Sequence, residues 1–175
     1  KNLKTNIGNA GAGIATDINF VPLFGKSEKS QDQIKQDEAF LVDCDKNFNT
    51  RSEASDFFSK MGWTYLEDGE KFNAINRFNL SYLLNNNNPE SYWGLGVIEY
   101  QSKNFKNAIE LMNNALTLAP NNPILMVDLA TIYIQLGNNT VSPNQYTSKA
   151  KELINNAIYL QPEYETAYLQ LALVN

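Results

Sequence analysis

Gly62-Trp63-Thr64-Tyr65 returns, loosely, as Gly96-Val97-Ile98-Glu99, 34 residues further on. The same offset carries Ala74 onto Ala108 and Phe78 onto Met112. Self-similarity at a period of about 34 residues marks an array of helical repeats, each too small to bury its own apolar face and therefore stacked on its neighbours. The period decides an all-α fold. It also narrows function, because such arrays present extended surfaces to other chains and rarely carry chemistry.

Punctuation on either side of that stretch sets the helices. Thr50 with Glu53 forms a capping-box pattern that opens a helix running to about Asp68, where Gly69 stops it. A second runs from Glu70 to Leu84 and ends in the asparagine run Asn85 to Asn88. Asn88-Pro89 and Asn122-Pro123 place an N-cap asparagine before a proline at the first helical position. Those two signals predict helices to Gln101 and to Gly137, with a partner helix between them from about Phe105 to Leu118. Ser142-Pro143 starts another, to Leu160, and a last segment runs from Glu163 to Val174. Upstream, Ser30 with Gln33 caps a helix from Gln31 to about Lys46, whose Ile34, Phe40, Leu41 and Cys44 share one broad face suited to docking.

Residues 1–29 read differently. Gly8, Gly11 and Gly13 sit among small and polar residues without helical or strand period, as in a flexible arm, and the first ~18 residues are expected to be mobile. Within the arm lies one apolar island, residues 20–25, which Pro22 keeps from being helical. It is expected to lie extended against the repeats of its own chain. The predicted organisation is an arm over 1–29, a docking helix over 30–48 and the array over 49–175.

The chain has 175 residues, 43% of them hydrophobic, which suffices for one continuous core. A net charge of −5 with interspersed signs makes nucleic acid or an anionic membrane surface an unexpected partner. With one cysteine and no histidine, an internal disulfide and a thiolate zinc cluster are both excluded. A serine or cysteine nucleophile would lack its usual base. No catalytic constellation, metal site or small-molecule cofactor is expected. No apolar run approaches the ~18 residues of a membrane span. The chain starts at Lys1, which fits either a removed leader or a trimmed end.

With the repeats laid out, residues 52–174 resemble tetratricopeptide repeats, whose pattern is W-x-x-L-G-x-x-Y, then A-x-x-x-F, then P. Residues 89–122 match best, with Tyr92, Leu95, Gly96, Ala108, Met112, Ala115 and Pro120. Glu99 stands where the pattern has tyrosine. The first repeat supplies Phe58, Met61, Gly62, Tyr65, Ala74, Phe78 and Ser81. The third supplies Met126, Leu129, Ala130, Tyr133, Ala150, Ile154, Ala157 and Pro162, and Tyr168, Leu171 and Ala172 begin a half repeat. The resemblance implies a tetratricopeptide superhelix of three repeats plus a terminal half repeat, preceded by an extra helix. The third repeat carries eight extra residues between its helices, within Asn138 to Tyr146: a tolerated insertion or a recognition loop. The stretch from Gly62 to Tyr100 also resembles a group of small bacterial exported repeat proteins. That implies a cell-envelope setting, periplasmic or anchored as a lipoprotein, with the arm available for envelope association.

In repeats of this kind the first helix of each pair lines the groove. By that implication Trp63, Leu66, Trp93, Val97, Tyr100, Val127, Thr131 and Ile134 form a largely apolar trough, with Glu67, Gln101 and Gln135 along its polar edge. The carboxylate clamp of chaperone-binding repeats needs Lys, Asn and Arg on these faces. The matching positions here hold Ser59, Trp63, Gly94, Ile124 and Asp128, so an acidic C-terminal ligand is not expected. The first reading is a non-enzymatic scaffold binding a protein or peptide. The alternative is an assembly subunit whose groove is filled by its own N-terminal segment, which would bury Trp63 and Trp93 beneath residues 19–46. Asn79-Leu80-Ser81 and Asn138-Asn139-Thr140 match the glycosylation pattern by chance, the first inside a packed helix.

Overall fold

The computed structural model describes residues 17–138 and 144–174. The expectations for the mobile start, for the glycine run Gly8 to Gly13, for most of the third-repeat insertion and for the second glycosylation pattern lie outside those residues. Among the described residues there are eight α-helices and no strand: α1 (Gln31–Asn47), α2 (Arg51–Glu67), α3 (Lys71–Leu84), α4 (Pro89–Gln101), α5 (Phe105–Leu118), α6 (Pro123–Asn138), α7 (Asn144–Leu160) and α8 (Glu165–Leu173). The boundaries follow the punctuation. Ser30 and Gln33 form the reciprocal capping box. Thr50 caps the Glu53 amide, but the Glu53 carboxylate takes the Asn49 N–H instead of that of Thr50.

α2–α3, α4–α5 and α6–α7 pack as pairs, and α8 rests on α7 and α6. Ala74, Ala108 and Ala150 are wholly buried, as are Gly62, Gly96 and Ala130 opposite them. The shared register of the three repeats is therefore the register of the core. Close approach is extreme at one point. A Cβ on Gly94 would stand 2.1 Å from the Phe78 ring, and one on Gly62 2.8 Å from the same ring. Phe78 fills the space that both glycines leave, so α2, α3 and α4 meet around a single aromatic side chain.

The α3–α4 turn is polar inside. Asn88, buried, caps α4 by accepting from the Glu90 N–H at 3.0 Å, while its amide nitrogen donates to Ser55 Oγ at 2.9 Å and Asp56 Oδ1 at 3.0 Å. Ser91 donates to Ser81 Oγ at 2.7 Å, and Ser55 and Ser81 meet at 2.9 Å. Because each buried hydroxyl finds a partner, the junction costs little and fixes the start of α4 against α2.

α1 touches the array through its C-terminal half. Phe40, Leu41 and Phe48 pack with buried Cys44 against Ala54, Phe58 and Leu84. Burial pushes the Cys44 thiol up, and Asp43 and Asp45 beside it push the same way.

The apolar island does not lie extended. After a short turn at Ile18–Phe20, residues Pro22–Lys26 form one left-handed turn, with φ of 50° at Leu23, 54° at Phe24 and 66° at Gly25. Left-handed backbone costs roughly 1–2 kcal/mol per non-glycine residue. Asn79 supplies the compensation. Wholly buried in α3, it accepts from the Leu23 N–H at 2.9 Å and donates to the carbonyls of Asn19 at 3.1 Å and Val21 at 2.8 Å. Leu23 and Phe24 are buried, each stabilising by about 1.5–3 kcal/mol. The Lys29 ammonium sits 3.4 Å above the Phe24 ring and also pairs with Asp37. This segment is a strap on α3, and Asn79, so engaged, is no glycosylation acceptor.

Candidate functional site

The α4 start that Asn88 fixes places Glu90 beside α2. There the Glu90 carboxylate accepts from Trp63 Nε1 at 2.7 Å. One repeat on, Asp128 of α6 accepts from Trp93 Nε1 at 2.8 Å. The two indoles meet edge-to-face at 5.4 Å, and Trp63 is also edge-on to Phe78 at 5.3 Å. Each tryptophan thus leans on its own repeat and is tied by its N–H to the next. Both remain half-buried. Removal from water raises the Asp128 carboxyl above its ordinary range, and the Trp93 hydrogen bond pulls it back in part. Glu90 lies in the first turn of α4, where the helix dipole favours a carboxylate.

Leu66, Val97, Tyr100 and Thr131 stand half-buried on the same first-helix side, and Glu67, Gln101 and Gln135 are exposed along it. A cleft between α4 and α6 is lined by Val97, Tyr100, Gln101, Met112, Asp128 and Thr131. Val127 and Ile134 correct the expectation. They are 1% and 8% exposed and belong to the core that Trp93, Val97 and Tyr100 pack against. They hold the trough up from below and offer almost no surface. The reason is local: Met126, Leu129, Ile132 and Tyr133 are buried with them, so α6 is enclosed nearly all round.

Glu90 was not among the residues expected, and Asp128 was expected only as a position where the clamp fails. The signal for both was chemical. A tryptophan leaving solvent needs an acceptor for its N–H, and carboxylates one repeat downstream were within reach. Among the described residues, 19–46 make no hydrogen bond or ring contact with Trp63 or Trp93, the cover that the alternative reading requires. Residues 17–29 rest mainly on α3, with Leu23 also in the cluster that α4 and α5 share and Lys26 reaching Glu110 of α5, while α1 contacts the start of α2 and end of α3. Asn79 is the reason: its three backbone bonds draw the segment to the second helices.

Paired helices at this period, with aromatic side chains on the first-helix side, define a helical solenoid. The chain has a tetratricopeptide-repeat fold. Residues 99–140 match the tetratricopeptide repeat family model. The Arabidopsis OM64 tetratricopeptide domain superposes with a TM-score of 0.61 at 18% identity, over 71% of this chain and 97% of that one. The first such domain of Spaghetti (RPAP3), bound to the HSP90 peptide SRMEEVD, gives 0.61 at 18% identity, over 70% and 91%. TTC0263 of Thermus thermophilus gives 0.62 at 19% identity, and the chain covers 63% of it. No curated protein matches the sequence.

Proposed function

We propose that the chain is a non-enzymatic scaffold that holds a protein or peptide segment of basic and apolar character along its first-helix groove. The observation that carries this is the tryptophan pair with its two acidic acceptors. Trp63 and Trp93 supply rigid aromatic surface of the kind that dominates binding hot spots. Glu67, Glu90 and Asp128 add negative charge, and Asp128 stands where a carboxylate clamp needs arginine. Such a face repels an acidic peptide like the SRMEEVD bound by the Spaghetti domain and complements lysine or arginine set among apolar residues. Residues 62–100 resemble exported bacterial repeat proteins, and on that ground we place the scaffold at a bacterial cell envelope.

Display panning with random peptides tests the reading. Enriched sequences should be basic and apolar, should change tryptophan fluorescence on titration, and should bind at least tenfold more weakly to Trp63→Ala and Trp93→Ala. Enrichment of acidic C-terminal sequences, or binding indifferent to both substitutions, overturns it. Cell fractionation that finds the protein only in the cytosol overturns the envelope setting.

A further inference from the structure

Glu99 occupies the position where the repeat pattern has tyrosine. It follows Val97 by two residues, about 200° around α4, so it faces away from the tryptophans and toward α5 and the strap. The residue is only 8% exposed, and no donor reaches its Oε2. Proteins rarely bury a carboxylate oxygen in this way, since the lost hydration goes unreplaced. Glu99 lines a cleft of about 270 Å³ between the strap and α5. Pro22, Leu23 and Leu111 give it apolar walls, and Asn107 adds one amide. At the rim the exposed Lys26 ammonium is already held by Glu110 at 2.5 Å.

We propose that this cleft is a cation subsite that takes a guanidinium or primary ammonium on a short aliphatic stem. Glu99 is the counter-charge, Asn107 and Glu110 offer further acceptors, and the apolar walls take the stem. An anion is disfavoured by two carboxylates. A metal ion is disfavoured because the described residues bring no group of three ligating side chains together. A buried carboxylate lined by hydrocarbon matches an organic cation, whose N–H donors and methylenes satisfy both halves of the site. The site lies apart from the tryptophan groove and does not depend on the function proposed for it.

The test is titration of the full chain with agmatine, followed by amide and indole NMR shifts. Saturable binding with shifts at Gly25, Asn107 and Leu111 is expected. Glu99→Gln should weaken it at least tenfold, while Glu38→Gln on α1 leaves it unchanged. Asn107→Arg, whose own guanidinium can fill the cleft, should abolish agmatine binding and raise the melting temperature. A parallel titration with an acetylated, amidated Gly-Arg-Gly peptide identifies the source: tighter peptide binding points to an arginine of a partner protein, tighter agmatine binding to a free amine. Absence of saturable binding, equal affinity in Glu99→Gln, or shifts confined to the Trp63 and Trp93 indole resonances overturns the proposal.

Discussion

On the first-helix side, Trp63 and Trp93 stay half-buried, with their N–H groups bonded to Glu90 and Asp128. On the second-helix side, Leu23 and Phe24 are buried in a turn that the chain folds back onto α3. The difference is in who supplies the cover. One face has been closed by a local segment, at the cost of left-handed backbone. The other keeps large aromatic surface within reach of a partner. The carboxylates follow the same division. Asp128, losing water, is raised. Glu110, exposed and hydrogen-bonded to Lys26, is lowered. Among the described residues, one apolar face is thus covered by the chain itself and the other is not.

Phe78 is the place to break this division, because it belongs to both faces. It packs with Leu23 of the strap and edge-on to Trp63. Phe78→Ala should cost about 3–5 kcal/mol, and denaturant titration reads it. A loss below about 1 kcal/mol would mean that the wall shared by Gly62 and Gly94 is not rigid.

Asn79→Ala should separate the faces. It removes three bonds and leaves the strap backbone unpaired, a loss of about 1–3 kcal/mol. Limited proteolysis should then cut within residues 17–29, while tryptophan fluorescence stays as in the parent. A fluorescence change of the size that unfolding gives would show that the strap supports the groove after all.

The smallest effect sharpens the electrostatic contrast. Because the folded Asp128 carboxyl is raised above 3.8, the native state holds its proton more tightly than the unfolded chain. Its contribution to stability is complete below the ordinary carboxylate value and is lost as pH rises through the raised one. Asp128→Asn removes this loss. The melting temperature of the variant should gain on that of the parent as pH climbs from 3 and then run level with it at a constant offset. Curves parallel from pH 3 to 8 would show that Asp128 is no more desolvated in the folded chain than in the unfolded one.

Repeat period, helix boundaries and pair register were legible in the residues themselves. Capping chemistry, proline at the first helical turn and small residues at 34-residue spacing are local or periodic signals, and they need no knowledge of the neighbours. The aromatic trough was legible only in part. Helical periodicity assigns Val127 and Ile134 to one side of α6, but periodicity cannot say how far the adjoining helices reach around that side. Only packing could show that they are core.

By itself, then, the sequence determined that the chain is a helical array of three repeats and a half. The tertiary structure decided everything that joins residues far apart in the chain. Asn79 reaches back about 60 positions to shape the strap, Glu90 and Asp128 each bond a tryptophan of the preceding repeat, and Glu99 shares a cleft with the strap. The physical reason is that hydrogen-bond partners and burial are set by distance in space, whereas caps and periods are set by distance along the chain.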